Sequence, residues 1–107
     1  MRPSVQLVYK NGLLTARLEG EIDHHTAGPL RETIDEAARR LKPACLRLDF
    51  TAVPFMDSSG IGLVLGRVRL VEFWQGRVVL CGMNRSILKM VELSGIENLA
   101  QVERRAG

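Results

Sequence analysis

The chain has 107 residues, 46% hydrophobic and 25% charged, a composition that supports one folded domain with its own core. Fifteen basic residues against twelve acidic leave a net charge of +3, yet they adjoin only at Arg39-Arg40 and Arg104-Arg105, so solvated faces explain them better than a stripe tracking nucleic acid. The longest apolar stretch, residues 61–74, is broken by Arg67, Arg69 and Glu72, which excludes a membrane span, and the opening Met-Arg-Pro-Ser runs into a strand pattern without a secretory signal.

Residues 5–10 and 13–19 read as two strands joined by Asn11-Gly12, the dipeptide that supplies both positive-φ positions of a type I′ hairpin turn. A two-residue loop fixes the register: Lys10 faces Leu13, Tyr9 faces Leu14, Leu7 faces Ala16 and Val5 faces Leu18. The last six share one face, while Gln6, Lys10, Thr15, Arg17 and Glu19 share the other. A helical pattern follows, with Leu30, Ile34, Ala37 and Leu41 on one stripe. Thr26 or Asp23 caps it, Pro29 fits within its first turn, and Pro43 lies beyond its end. Residues 45–50 then alternate, Leu46, Leu48 and Phe50 against Arg47 and Asp49. A strand with one polar face belongs to a sheet covered by helices on a single side, unlike the central strands of dinucleotide-binding folds.

A second helix is expected over residues 58–73, with Ile61, Val64 or Leu65, Val68 and Val71 facing inward. Gly62 and Gly66 cost it about 1 kcal/mol each relative to alanine, so close approach of another backbone is expected there. Residues 77–81 form a short apolar strand, and Asn84 or Ser86 caps a third helix carrying Ile87, Leu88 and Val91. Gly95 ends that helix, with Ile96 folding back on Val91, and residues 99–103 read as a last edge strand before a frayed tail. The sum is an α/β domain over residues 1–107: two layers, a mixed sheet of about five strands, helices on one face. Cys45 and Cys81 lie in or beside apolar strand patterns and form no Cys-x-x-Cys pair, so they read as reduced thiols of a cytoplasmic protein.

Residues 55–62, Phe-Met-Asp-Ser-Ser-Gly-Ile-Gly, put two hydroxyls beside a carboxylate where the chain enters the second helix. A helix N-terminus offers unpaired N–H groups and a partial positive charge, so a serine there can carry phosphate with little harm to the fold. No base stands near it in sequence. Ser58 therefore reads as a serine acted upon, and no residue is assigned a catalytic role. The alternative, a small serine hydrolase using Ser58, fits less well: Ser58 lies outside any Gly-x-Ser-x-Gly elbow, and a triad would need Asp23 behind His24 or His25. Asp-His-His-Thr reads better as a cap followed by exposed imidazoles. Two ligands, Asp23 and His25, do not close a zinc site, and no phosphate-binding glycine loop is present, so neither metal nor cofactor is expected. Trp74, at the end of the second helix, reads as a packing residue.

Three segments carry a family likeness: Gly20-Glu21-Ile22-Asp23-His24-His25-Thr26-Ala27, the Phe55–Gly62 run with Leu65-Gly66-Arg67, and Met90-Val91-Glu92-Leu93-Ser94-Gly95-Ile96. Together they resemble the sporulation anti-sigma factor antagonists of the STAS domain family, over residues 3–103. The resemblance implies partner switching. The unphosphorylated protein binds an anti-sigma factor that is also a serine kinase and releases the sigma factor; the kinase then phosphorylates the antagonist, and a metal-dependent serine phosphatase reverses this. By motif the acceptor is Ser58, with Ser59 as rival. Asp23 and His24 in the loop, Asp57 and Ser59 beside the acceptor, and Gly62 and Arg67 on the helix would form the kinase-binding surface. The resemblance leaves open a STAS module in a stress-response complex. Some members of that family are reported to bind purine nucleotides, but no residue pattern here supports such a site. The spread of charge and the broken apolar run argue against a nucleic-acid or membrane partner, and the free chain is expected to be a monomer. Members usually continue into a fourth helix after the last strand, and this chain is expected to lack it or keep only a frayed turn.

Overall fold

The Asn11-Gly12 turn forms, with φ of 50° and 80°, and closes β1 (Ser4–Lys10) on β2 (Leu13–Glu19) in the register the sequence dictates, from Lys10 opposite Leu13 to Ser4 opposite Glu19. The computed structural model describes residues 3–104; the expectations about a frayed tail and a fourth helix concern residues outside that range. After β2 come α1 (Ala27–Leu41), β3 (Cys45–Ala52), α2 (Ser58–Glu72), β4 (Arg77–Cys81), α3 (Arg85–Ser94), a 3-10 turn (Ile96–Asn98) and β5 (Gln101–Val102). The sheet order is β1-β2-β3-β4-β5, antiparallel in its first pair and parallel thereafter.

Alternation decides which face is covered. The register aligns Leu14 with Leu46 and Val78, and Ala16 with Leu48 and Leu80, in buried rows beneath the stripes of α1 and α2. Thr15, Arg17, Arg47 and Asp49 point the other way and keep contact with solvent. Phe50, Ile34 and Val64 are fully enclosed in the layer between sheet and helices.

Several expectations needed correction. On α2 the inward residues are Leu63, Val64, Val68 and Val71, with Leu65 and Ile61 only half-buried. The space where a Cβ would stand on Gly62 or Gly66 is empty, so no backbone of the described residues packs there. Leu7 and Tyr9, on the apolar face of the hairpin, stay 37% and 45% exposed, because among the described residues edge strand β1 has a neighbouring strand on one side alone. The last strand shrinks to Gln101–Val102, since Leu99 is drawn into the close of the 3-10 turn through its N–H bond to the Ile96 carbonyl. Other details agree. Asn84 caps α3 by accepting from the Ile87 N–H at 2.9 Å, Gly95 ends α3 with φ 81°, and Trp74 Nε1 donates to the Pro43 carbonyl at 2.9 Å.

Candidate phosphorylation and partner-binding site

Two loops leave the same end of the sheet side by side. The chain after β2 and the chain after β3 form a parallel bridge at Ile22 and Met56: Ile22 N–H donates to the Phe55 carbonyl, and Asp57 N–H donates to the Ile22 carbonyl, both at 3.0 Å. This brings Asp23 and Asp57, far apart in sequence, to adjoining positions.

Asp57 starts α2. Its backbone is extended, and its Oδ1 accepts from the Ser59 N–H at 2.8 Å, satisfying one of the donors that a helix start leaves open. Ser58 is the first helical residue and is exposed. Among the described residues neither its hydroxyl nor its N–H has a hydrogen-bond partner. A free hydroxyl thus stands where backbone donors and the helix dipole favour negative charge. Ser59 is half-buried, one step further into the helix. Gly60 faces inward, and a Cβ there would overlap the thioether of buried Met56. The glycine of Asp-Ser-Ser-Gly is thus needed for packing.

The Asp23 loop is built by reciprocal bonds. Asp23 Oδ1 accepts from the N–H groups of His25 (2.8 Å) and Thr26 (3.1 Å), while Thr26 Oγ1 accepts from the Asp23 N–H at 2.9 Å and donates to the Glu21 carbonyl at 3.0 Å. Thr26 holds the cap position of α1 but makes no side-chain cap bond, so both residues that the sequence offered are used, in different ways. The His25 amide, then the Thr26 amide, hold the Asp23 carboxyl below the ordinary carboxylate range. His24 and His25 are exposed, their rings 4.0 Å apart and tilted by 39°. Neither imidazole hydrogen-bonds Ser58 or the Asp23 carboxylate among the described residues. A hollow of about 340 Å³ lies beside the loop, between Glu21, Asp23 and Thr26 on one side and Pro3, Gly20 and Pro54 on the other.

The site residues named from the sequence separate in the structure. Asp23, His24, Asp57, Ser58 and Ser59 gather at one end, and Gly62, exposed one turn along α2, adjoins them. Arg67 does not. It is 5% exposed, its Nε 2.7 Å from Asp35 Oδ1 across the packing of α1 on α2, with the N–H misaligned for a hydrogen bond. Burial lowers its pKa, opposed by the Asp35 carboxylate, and Asp35 also meets Arg39 at 3.9 Å. Arg67 ties two helices together, and no surface is left on it for a kinase. Sequence reading missed this pair, although both residues sit beside the inward stripes of their helices. It also gave no role to Phe55, 53% exposed three residues before Ser58.

Comparison with known proteins agrees with the geometry. Residues 4–105 match the STAS domain model. The anti-sigma F factor antagonist of Paenibacillus polymyxa is 34% identical over 90% of this chain and 82% of its own length. The anti-sigma-B factor antagonist of Listeria monocytogenes is 30% identical over 82% of this chain and 76% of its own. Among solved structures, the anti-sigma factor antagonist SpoIIAA in its unphosphorylated form superposes with a TM-score of 0.80 at 32% identity, covering 95% of this chain and 90% of that one. The phosphorylated form of Bacillus SpoIIAA superposes at 0.72, also at 32% identity, over 95% and 93%.

Proposed function

The chain belongs to the STAS domain family, and on that basis we propose that it is an anti-sigma factor antagonist switched off by phosphate on Ser58. The observation that carries this reading is the exposed Ser58 hydroxyl at the first position of α2, without a hydrogen-bond partner among the described residues. The unphosphorylated protein binds an anti-sigma factor with serine kinase activity and frees the sigma factor. ATP-dependent phosphorylation ends the contact, and a metal-dependent serine phosphatase restores it. The chain is the substrate of these enzymes and acts in the cytoplasm. Among its described residues no helix is long and apolar enough to cross a membrane.

Charge explains why one modification can suffice. Phosphoserine adds about −1.5 to −2 at pH 7. In the free domain the helix N-terminus offsets this by about 0.3–1 kcal/mol, while Asp57 opposes it. In a docked interface the same dianion is desolvated against fixed charges, which costs several kcal/mol. About 4 kcal/mol lowers affinity roughly a thousandfold. The docking surface comprises Asp23, His24, Asp57, Ser59, Gly62 and the exposed Phe55 ring, with Gly62 allowing close approach from outside.

A second reading, a STAS module under a stress-type kinase, draws on the likeness to the Listeria anti-sigma-B factor antagonist. Incubation with purified anti-sigma kinases and ATP, followed by mass spectrometry, separates the two by which kinase acts. It also tests the acceptor: phosphate belongs on Ser58, and phosphate on Ser59 or on neither serine contradicts the proposal.

A further inference from the structure

Among the described residues β1 is the outermost strand of its sheet, with β2 beside it and nothing on the other side. In a two-residue hairpin the closing pair, here Lys10 and Leu13, exchanges its backbone hydrogen bonds, and the pattern alternates from there. Val8, Gln6 and Ser4 therefore turn their backbone groups toward β2. Tyr9, Leu7 and Val5 turn theirs outward. Protein edges are normally blunted by charges, prolines or bulges. Between Val5 and Tyr9 this edge has none of them, and its seven residues pair with β2 without a register break. Apolar side chains crowd it: Val8 is 66% exposed, Tyr9 45%, and Leu7 and Leu13 37% each.

We infer that β1 pairs with β1 of a second copy of this chain, antiparallel about Leu7, to join two five-stranded sheets into one. Backbone parity selects that register. Bonds across the edge must link outward residues, and only Leu7 opposite Leu7, with Val5 opposite Tyr9, uses all three on both chains. The side chains then match. Val5 meets Tyr9 and Leu7 meets Leu7 on the helix side; Gln6 meets Val8 and Ser4 meets Lys10 on the other. Charge is complementary as well. The Glu19 carboxylate leans over β1, accepting from Ser4 Oγ at 3.2 Å and Gln6 Nε2 at 2.9 Å. Lys10 of the second copy arrives beside small Ser4, on the face where Glu19 waits, and the two-fold axis repeats the ion pair. No like charges are opposed. This departs from the monomer suggested by the sequence, and it stands independently of the Ser58 reading, because α2 packs against β4 and not on this edge.

Sedimentation velocity from micromolar to millimolar protein tests it. The mass should rise with concentration from 11.9 kDa toward twice that value. Leu7→Lys should sediment as a monomer throughout, with unchanged circular dichroism. Lys10→Glu and Glu19→Lys should each weaken the dimer about tenfold, and the double charge swap should restore it. If Leu7→Lys fails to fold, the charge-swap series decides alone. A wild-type chain that stays at one mass, a dimer indifferent to Leu7→Lys, or a double swap no tighter than the single variants would overturn the proposal.

Discussion

At Ser58 the chain offers a hydroxyl with no hydrogen bond to lose among the described residues, so its modification should alter what the surface meets without altering the interior. Ser58→Ala should keep the affinity of the unphosphorylated protein and accept no phosphate, whereas Ser58→Asp should fold normally and bind weakly; calorimetry against the anti-sigma partner measures both. Asp23 carries a second prediction at this scale. Its folded carboxyl is held below its unfolded value by two amide donors. Its contribution to stability is therefore complete above the unfolded pKa of about 3.9 and is lost as pH falls through the lower, folded value. Asp23→Asn should remove that part of the acid-side loss of stability, seen as a flatter plot of Tm against pH below about 4.

The elements that hold the site make sharper demands than the site itself. Gly60 lies against Met56, which is 2% exposed and has little room to move. Gly60→Ala should cost about 1–3 kcal/mol in urea unfolding, because an added methyl overpacks the start of α2. The Asp35–Arg67 pair should respond asymmetrically. Arg67→Met alone leaves the buried Asp35 carboxylate only the longer contact to exposed Arg39 and should cost about 3 kcal/mol, while Asp35→Leu with Arg67→Met should come close to wild-type stability. The paired variant should also keep its affinity for the anti-sigma partner, which is the direct test that Arg67 acts inside the fold. Why the sequence misled at Arg67 is physical. A charged residue on a helix reads as exposed unless its opposite charge is known to lie across the packing, and residues 35 and 67 are joined only by the tertiary fold. The hairpin was legible down to its register because Asn11-Gly12 is a local signal. Gly62 and Gly66 were misjudged for the opposite reason: a glycine pair looks the same in sequence whether it faces a neighbouring backbone or open solvent. The pairing of Ile22 with Met56, which assembles the site, leaves no periodic trace at all.

Across the whole molecule, covered face, open face and loop end do different work. The rows of Leu14, Leu46 and Val78 and of Ala16, Leu48 and Leu80 fix a rigid platform, and α2 rests on it with its first residue projecting. Nothing in that platform must move for phosphate to act, so phosphorylated and unphosphorylated protein should share amide spectra except near residues 23–26 and 55–62. Phosphate on Ser58 should change binding and leave the fold as it is. The affinity of the chain for the proposed anti-sigma kinase, measured by calorimetry before and after stoichiometric phosphorylation of Ser58, tests that most directly. A loss of roughly a thousandfold with an unchanged circular dichroism spectrum is the predicted result. Equal affinity of the two forms, or a loss accompanied by refolding, would contradict it.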